Sequence, residues 1–255
     1  MLGPMRAAER QIKIQNLMHS QEFLDAVTLA AKLKISESSL RRDFIELERR
    51  GVVRRVRGGA VSPQAQEELR GSRWPTGRAK DEKLRIAKAA AALLEDGQTL
   101  IMDGGSTVAE VARQLQGRSL QVITNSVLIA EIFYDSKSVE LTLTGGYLYP
   151  RLGVLLGPIC EEMLTRVGAD VLVMGSGGIT EAGLSNTNTL IVGSERRMIE
   201  ASQRVMVVAD HSKFGRQAMA HLTPLETVDT IVTDQPLPLR FEKLLQKCGV
   251  ELVVA

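Results

Sequence analysis

From residue 78 onward, short apolar stretches run repeatedly into glycines and hydroxyl residues and then into helix-patterned segments. Thr99 to Met102 leads into Asp103-Gly104-Gly105-Ser106-Thr107, and Gln121 to Thr124 into Asn125-Ser126. Glu140 to Thr144 leads into Gly145-Gly146, and Asp170 to Met174 into Gly175-Ser176-Gly177-Gly178. Strands alternating with helices predict a largely parallel, doubly wound sheet. The carboxyl ends of its strands share one edge, and ligands bind in the crevice there. Glycines let backbone N–H groups approach an anion, and hydroxyls at a helix start add donors at the positive end of its dipole. One such end is a tight turn or a cap; four on one edge suit a phosphate and the hydroxyls of a small sugar. The candidate set is Asp103, Gly104, Gly105, Ser106, Thr107, Thr124, Asn125, Ser126, Gly145, Gly146, Gly177 and Gly178. The run VVADHSKFG after a further strand adds Asp210 and Lys213, the lysine as a point charge for phosphate. No GxxxxGK[ST] occurs, and no GxGxxG opens a helix after a strand, so a nucleotide site is not predicted.

The head of the chain is of another kind. Ser36 to Gly51 reads SESSLRRDFIELERRG, with Leu40, Phe44 and Leu47 on one helical face, Ser36 as N-cap and Gly51 as stop. Ser38, Ser39, Arg41 and Arg42 lie at the start of the opposite face, with the side chains that reach base edges and phosphates when a helix enters a major groove. A first helix is predicted from Arg10 to His19 and a second from Ala26 to Leu33, capped by Asp25 and packing Leu29, Ala30 and Leu33 inward. Two short helices across a tight turn form the helix-turn-helix pattern. The following VVRRVRGGAV is a β-rich wing that lays Arg54, Arg55 and Arg57 along phosphates. Through residue 61, 12 lysines and arginines face 7 acids, a net charge of +5; the remainder carries 20 against 23, a net of −3. A basic head on a mildly acidic body is expected when one end meets nucleic acid.

The run LKISESSLRRDFIELERRGVVRRVRGGAV resembles the winged helix-turn-helix of the DeoR family of bacterial transcription regulators. The matching positions are Arg41, Arg42 and Asp43, Leu47 and Glu48, Gly51, then Gly58, Gly59 and Ala60; Arg57 stands where the family usually has histidine, and a basic residue is kept. Residues 78 to 235, with DGGST, TNS, TGG, GSGGI and DHSKFG, are similar to the family's effector domain, which itself resembles ribose-5-phosphate isomerase. The resemblance implies a regulator, a repressor of a carbohydrate-utilisation operon, that binds double-stranded operator DNA and answers to a phosphorylated sugar or polyol. It places ligand-dependent variation at Asn186, Thr187 and Asn188.

The expected organisation is a winged helix-turn-helix domain over 1–61, a linker over 62–77 containing Trp74, and an α/β effector domain over 78–255. The 255 residues contain no apolar run of about 20 that would span a bilayer and no signal core at MLGPMRAAERQ, so a cytoplasmic protein is expected. Cys160 and Cys248 lack metal-site spacing and read as small buried residues, and His19, His211 and His221 are scattered; no metal or cofactor is expected. A homo-oligomer, dimer or tetramer, follows from the habit of such heads to bind paired half-sites. The alternative is a sugar-phosphate isomerase with an added DNA-binding head. Such an enzyme needs positioned carboxylates beside the phosphate loop, and near the Gly175 turn only Glu181 is available, so binding without chemistry is the expectation and no catalytic residue is assigned.

Overall fold

The computed structural model describes residues 7–20, 23–33, 35–56, 59–61 and 80–255. Arg57, Gly58 and the 62–77 stretch with Trp74 lie outside them. The chain divides into two compact units, Met1–Pro75 and Thr76–Ala255.

In the first unit, helices α1 (Ala7–Ser20), α2 (Ala26–Leu33) and α3 (Glu37–Arg49) surround a core of Ile14, Leu29, Leu33, Leu40, Phe44 and Leu47. Asp25 caps α2, accepting the Thr28 N–H at 2.8 Å, and Ser36 caps α3, accepting the Ser39 N–H at 3.2 Å. Gly51, with φ +71°, ends α3 in the left-handed region that favours glycine. Strands β2 (Arg54–Val56) and β3 (Gly59–Val61) pair antiparallel as the expected wing. One element was not expected: β1 (Phe23–Asp25) pairs along the other side of β3, setting Leu24 against Ala60 inside the core. Three residues running straight into a capped helix leave too short an alternation for the sequence to signal a strand.

The second unit is built on seven parallel strands in the order β15-β14-β12-β9-β4-β5-β6. These are β4 (Thr99–Met102), β5 (Leu120–Thr124), β6 (Val139–Leu143), β9 (Ala169–Met174), β12 (Ser202–Val208), β14 (Thr230–Thr233) and β15 (Glu251–Val254). The strands are apolar on both faces because helices cover both. Leu100 and Met102 of β4 pack with α4 (Lys80–Ala92), α5 (Ser106–Gln114) and α6 (Val127–Phe133). Ile101 points the other way, into the cluster under α7 (Pro158–Leu164), α8 (Thr189–Glu200) and α9 (Leu239–Lys247). The chain enters the sheet at β4, winds through β5 to β6, then returns to the other side of β4 as β9. The switch point therefore lies between β4 and β9, where the Asp103 N–H donates to Val173 O at 3.0 Å.

Two antiparallel additions stand apart from the seven-stranded sheet. Strands β7 (Tyr147–Tyr149) and β8 (Val154–Leu156) form a hairpin. Strands β10 (Gly178–Thr180), β11 (Gly183–Asn186) and β13 (Ala220–Thr223) form a small separate sheet. The β10–β11 turn requires Gly183: at φ +112° an added Cβ would lie 2.1 Å from Thr223 O. No helix among the described residues is long and apolar enough to cross a membrane.

Candidate functional site

On α3 the buried stripe of Leu40, Phe44 and Leu47 turns Ser38, Arg41 and Arg42 outward at the amino-terminal half. The three serines interact locally, Ser36 Oγ lying 2.9 Å from Ser38 Oγ and 3.0 Å from Ser39 Oγ. Arg41 reaches Glu37 at 3.5 Å in an exposed i,i+4 pair, a contact worth little. Arg42 has no partner among the described residues. Arg55 is occupied: Glu48 accepts its Nε–H at 2.7 Å and its backbone N–H at 2.9 Å, fastening the wing to α3. Arg54 pairs through its backbone in β2. Asp43 belongs to the core of the head, where it accepts from Arg10 Nε at 2.8 Å and from its terminal nitrogen at 3.1 Å.

In the second unit the carboxyl ends of β12, β9, β4, β5 and β6 lie side by side on one edge. At the end of β4, Gly105 is exposed and caps α5 without a side-chain hydrogen bond, so the first N–H groups of that helix are open to an anion. The hydroxyls of Thr124 and Ser126 serve the fold. Thr124 Oγ1 donates to Met102 O at 2.6 Å and accepts the Ser126 N–H at 3.0 Å, while Ser126 caps α6 by accepting the Ile129 N–H at 3.4 Å. Between them Asn125 is buried; its Nδ2 donates to Leu155 O at 3.3 Å and its Oδ1 has no partner in the structure. The β7–β8 hairpin covers this corner so closely that a Cβ on Gly104 would lie 2.1 Å from Val154 Cγ1.

Other candidates are given to turns. Gly177 and Gly178 leave the edge to start β10; a Cβ on Gly178 would lie 2.2 Å from Arg216 O. Gly146, at φ +117°, lets the backbone pass Leu156 O, which an added Cβ would meet at 2.7 Å. Asp210 caps the short 3-10 turn His211–Lys213, taking the Ser212 N–H at 3.0 Å. Lys213, half-buried after β12, makes no ion pair among the described residues. Asp234, at the end of β14, accepts the His211 N–H at 2.7 Å and lies 2.8 Å from its Nδ1. Burial alone would raise the Asp234 carboxyl, but the His211 hydrogen bonds bring it below the usual range. Cys248 is half-buried rather than buried.

The sequence reading missed one group. Glu195, on α8, is buried beside Asp103 and takes the Asn186 Nδ2–H at 2.6 Å through Oε1, while its Oε2 is unpartnered. The expectation of no second acid near the phosphate loop is thus corrected: the partner comes from a helix far along the chain, not from the Gly175 turn, and Glu181 is exposed. A signal was present. Ile191, Glu195 and Met198 recur at i, i+4 and i+7, which puts the glutamate on the buried stripe. Burial pushes the Asp103 carboxyl up to about 7, offset in part by the Gly104 N–H. Burial, then the charge of Asp103, pushes Glu195 well above the usual range, with the Asn186 amide pulling the other way. Near neutral pH the pair holds at least one proton. The Cys160 thiol, also raised by burial, lies against Thr144 and Ser194. A shallow concavity lined by Leu164, Arg197 and Glu200 sits beside Ala201, which bonds to the first residue of β9, and so at the opposite edge of the sheet.

The acid pair sets a pH dependence. Both carboxyls are raised in the folded state, so folding binds protons. The stability this supplies is complete below the ordinary carboxylate range and lost as pH rises toward about 7. The melting temperature of this unit is expected to fall from about pH 5 to about pH 8, at up to about 1.4 kcal/mol per pH unit for each proton. Asp103→Asn should shrink that fall in calorimetry, and an unchanged pH profile in the variant would assign the titration elsewhere.

The chain matches known sequences over both units. Residues 78–235 match the model described as the DeoR C terminal sensor domain, and residues 10–66 the DeoR-like helix-turn-helix domain. The HTH-type transcriptional repressor GlcR of Bacillus subtilis (strain 168) is 30% identical over 250 residues, covering 98% of this chain and 97% of the relative. The glycerol-3-phosphate regulon repressor of Escherichia coli (strain K12) is 31% identical over 252 residues, covering 97% and 99%. A solved ribose 5-phosphate isomerase of Methanocaldococcus jannaschii superposes with a TM-score of 0.40 at 20% identity, over 53% of this chain and 54% of that one. With the sensor-domain model spanning more than half of it and these repressors aligning over nearly its full length, the chain belongs to the DeoR family of transcriptional regulators.

Proposed function

We propose that this regulator is a repressor whose operator affinity is set by a phosphorylated sugar or polyol bound at the carboxyl edge of the sheet. The observation that carries the sensing half is the open amino end of α5, directly after Asp103, on an edge rich in polar groups where Lys213 follows β12 two strands along. Its donors suit phosphate, with Gly105, Ser106 and Thr107 around the anion and Lys213 as a nearby charge. The name of the glycerol-3-phosphate regulon repressor is in keeping with a phosphate ester. The DNA half rests on Ser38, Arg41 and Arg42, held outward by the buried face of α3. The effector acts by binding the DNA-competent and DNA-incompetent arrangements unequally. Two copies on paired half-sites make the DNA-bound form a dimer or a multiple of one.

An operator can be recovered by selecting random duplexes on the protein. Arg42→Ala is expected to weaken that operator by about 1–3 kcal/mol, and random DNA less. Arg41→Ala should cost no more, since Glu37 shares its guanidinium. If both arginines can be removed with operator affinity intact, α3 is not the recognition helix.

A second reading, isomerisation of the bound sugar phosphate, has the Asp103–Glu195 pair in its favour. We favour binding without turnover, because both carboxyls are buried and the full-length relatives are named as repressors. Incubation with the tightest-binding sugar phosphate should return it unchanged. Isomerised product in excess of protein, lost in Glu195→Gln, would establish an enzyme.

A further inference from the structure

The polar groups of the crevice are sorted by kind. At the start of α5 they are backbone N–H donors, which suit an anion. Behind them they are side-chain atoms: Asn125 Oδ1 only accepts, while Ser194 Oγ and Glu195 Oε2, the oxygen free to carry the proton of the acid pair, can both give and take a hydrogen. The side chains are at most 2% exposed, and among the described residues none of these atoms has a hydrogen-bond partner. Ser194 has only the weakly donating Cys160 thiol beside it. The amide of Asn125 is fixed the right way round, because its Nδ2 donates to Leu155 O, and Glu195 Oε1 is already taken by Asn186. Buried polar atoms left dry are costly, and these three together call for groups that both give and take hydrogens, as hydroxyls do. A phosphate dianion brings none. The retained proton on the Asp103–Glu195 pair limits repulsion between the acids and a nearby phosphate.

Resting on the phosphosugar reading above, we propose that Glu195, with Asn125 and Ser194, reads the hydroxyl-bearing end of the effector. Tight binding then requires a polyhydroxylated carbon chain and not only a phosphate ester. The hairpin over Asn125 is tied to the end of β5 by few bonds, Val127 N–H to Gly153 O at 2.9 Å and Leu155 N–H to Asn125 O at 2.8 Å beside the Asn125 side chain. Val154 and Leu156 also pack on Ile191 of α8, and the hairpin must part from both for a ligand to reach these atoms.

The test is calorimetric titration of the full chain with glycerol 3-phosphate, ribitol 5-phosphate and sorbitol 6-phosphate. Each is set against the alkyl phosphate of equal chain length, with inorganic phosphate and the free polyols alongside. At least one polyol phosphate should bind tighter than its alkyl counterpart by on the order of tenfold or more. Glu195→Gln keeps the acceptor for Asn186 and replaces the other oxygen, which can take a hydrogen as well as give one, by an NH2 that only gives. It should lose that preference while binding inorganic phosphate as the wild type does. Ser194→Ala should lose part of the preference, and it carries the same criterion if Glu195→Gln does not fold. Equal binding of polyol and alkyl phosphates by the wild type overturns the inference and leaves the phosphate reading standing, as does a preference kept by the folded variant. If no phosphate binds, the phosphate reading falls. The inference then survives only through a free polyol that binds in a Glu195-dependent way, and without one it falls too.

Discussion

Asp43→Ala is expected to unfold most of the DNA-binding head at ordinary temperatures and to abolish operator binding, although Asp43 touches no DNA in this account. Its carboxylate takes two hydrogen bonds from Arg10, at 2.8 and 3.1 Å, and so ties α1 to α3. The side chains are 15% and 4% exposed, and the hydrogen bonds that Arg10 donates to Asp43 raise the guanidinium above its ordinary value. Removing Asp43 strips two charge-assisted hydrogen bonds from a guanidinium that is largely out of water, which costs about 1.5–3 kcal/mol. A unit of this size has only a few kcal/mol in hand. Asp43→Asn, which keeps the shape and one acceptor, should lose less. Calorimetry should show the transition of the head displaced and that of the other unit unchanged. An Asp43→Ala protein whose head melts as the wild type does would reduce the pair to a bystander.

Gly105→Val should give a regulator that binds its operator and no longer hears its effector. The site is open: a Cβ there meets only Val108 Cγ2, at 3.8 Å, and φ of 170° is extended backbone that valine adopts readily. The branched side chain would stand where an anion approaches the first N–H groups of α5. The expected loss of effector affinity is about a hundredfold or more, equivalent to about 2.7 kcal/mol, with the operator titration in the absence of effector unchanged. Gly104→Val is the contrasting control. Its Cβ would fall on Val154 Cγ1, so it should displace the hairpin and lower the melting temperature. A folded Gly105→Val protein that still responds at wild-type effector concentrations would move the anion site away from α5.

The seven parallel strands were legible because each is a short apolar run bounded by small residues; β14 and β15 have the residue limits the periodicity predicts. The head was legible for a related reason: caps at Asp25 and Ser36 and the stripe of Leu40, Phe44 and Leu47 are local signals. What escaped depends on distance. The three-residue strands β1, β7 and β8 exist only because a partner lies alongside, and no local pattern announces that partner. The same holds for chemistry. Asp103 and Asn125 follow strands and were found by position, while Glu195 reaches the crevice from a helix some ninety residues beyond Asp103. Hydroxyls are ambiguous for the converse reason: Thr124 and Ser126 have the right chemistry for a ligand but spend it on Met102 O and on the cap of α6.

The placement of β4 at the switch point bears on how the chain is made. A ribosome delivers β4, β5 and β6 first, with α4 to α6 to cover one of their faces, and the other face, with Ile101 and Ile123, waits for α7 and α8. Until β9 emerges and Val173 receives the Asp103 N–H, the half-made sheet has a bare apolar side and an open edge along β4. Such a nascent intermediate is a natural client for chaperones. Glu195 leaves the ribosome only after four of the seven strands of the sheet have been translated, whereas the head, all local contacts within the first sixty or so residues, can fold as soon as it is released.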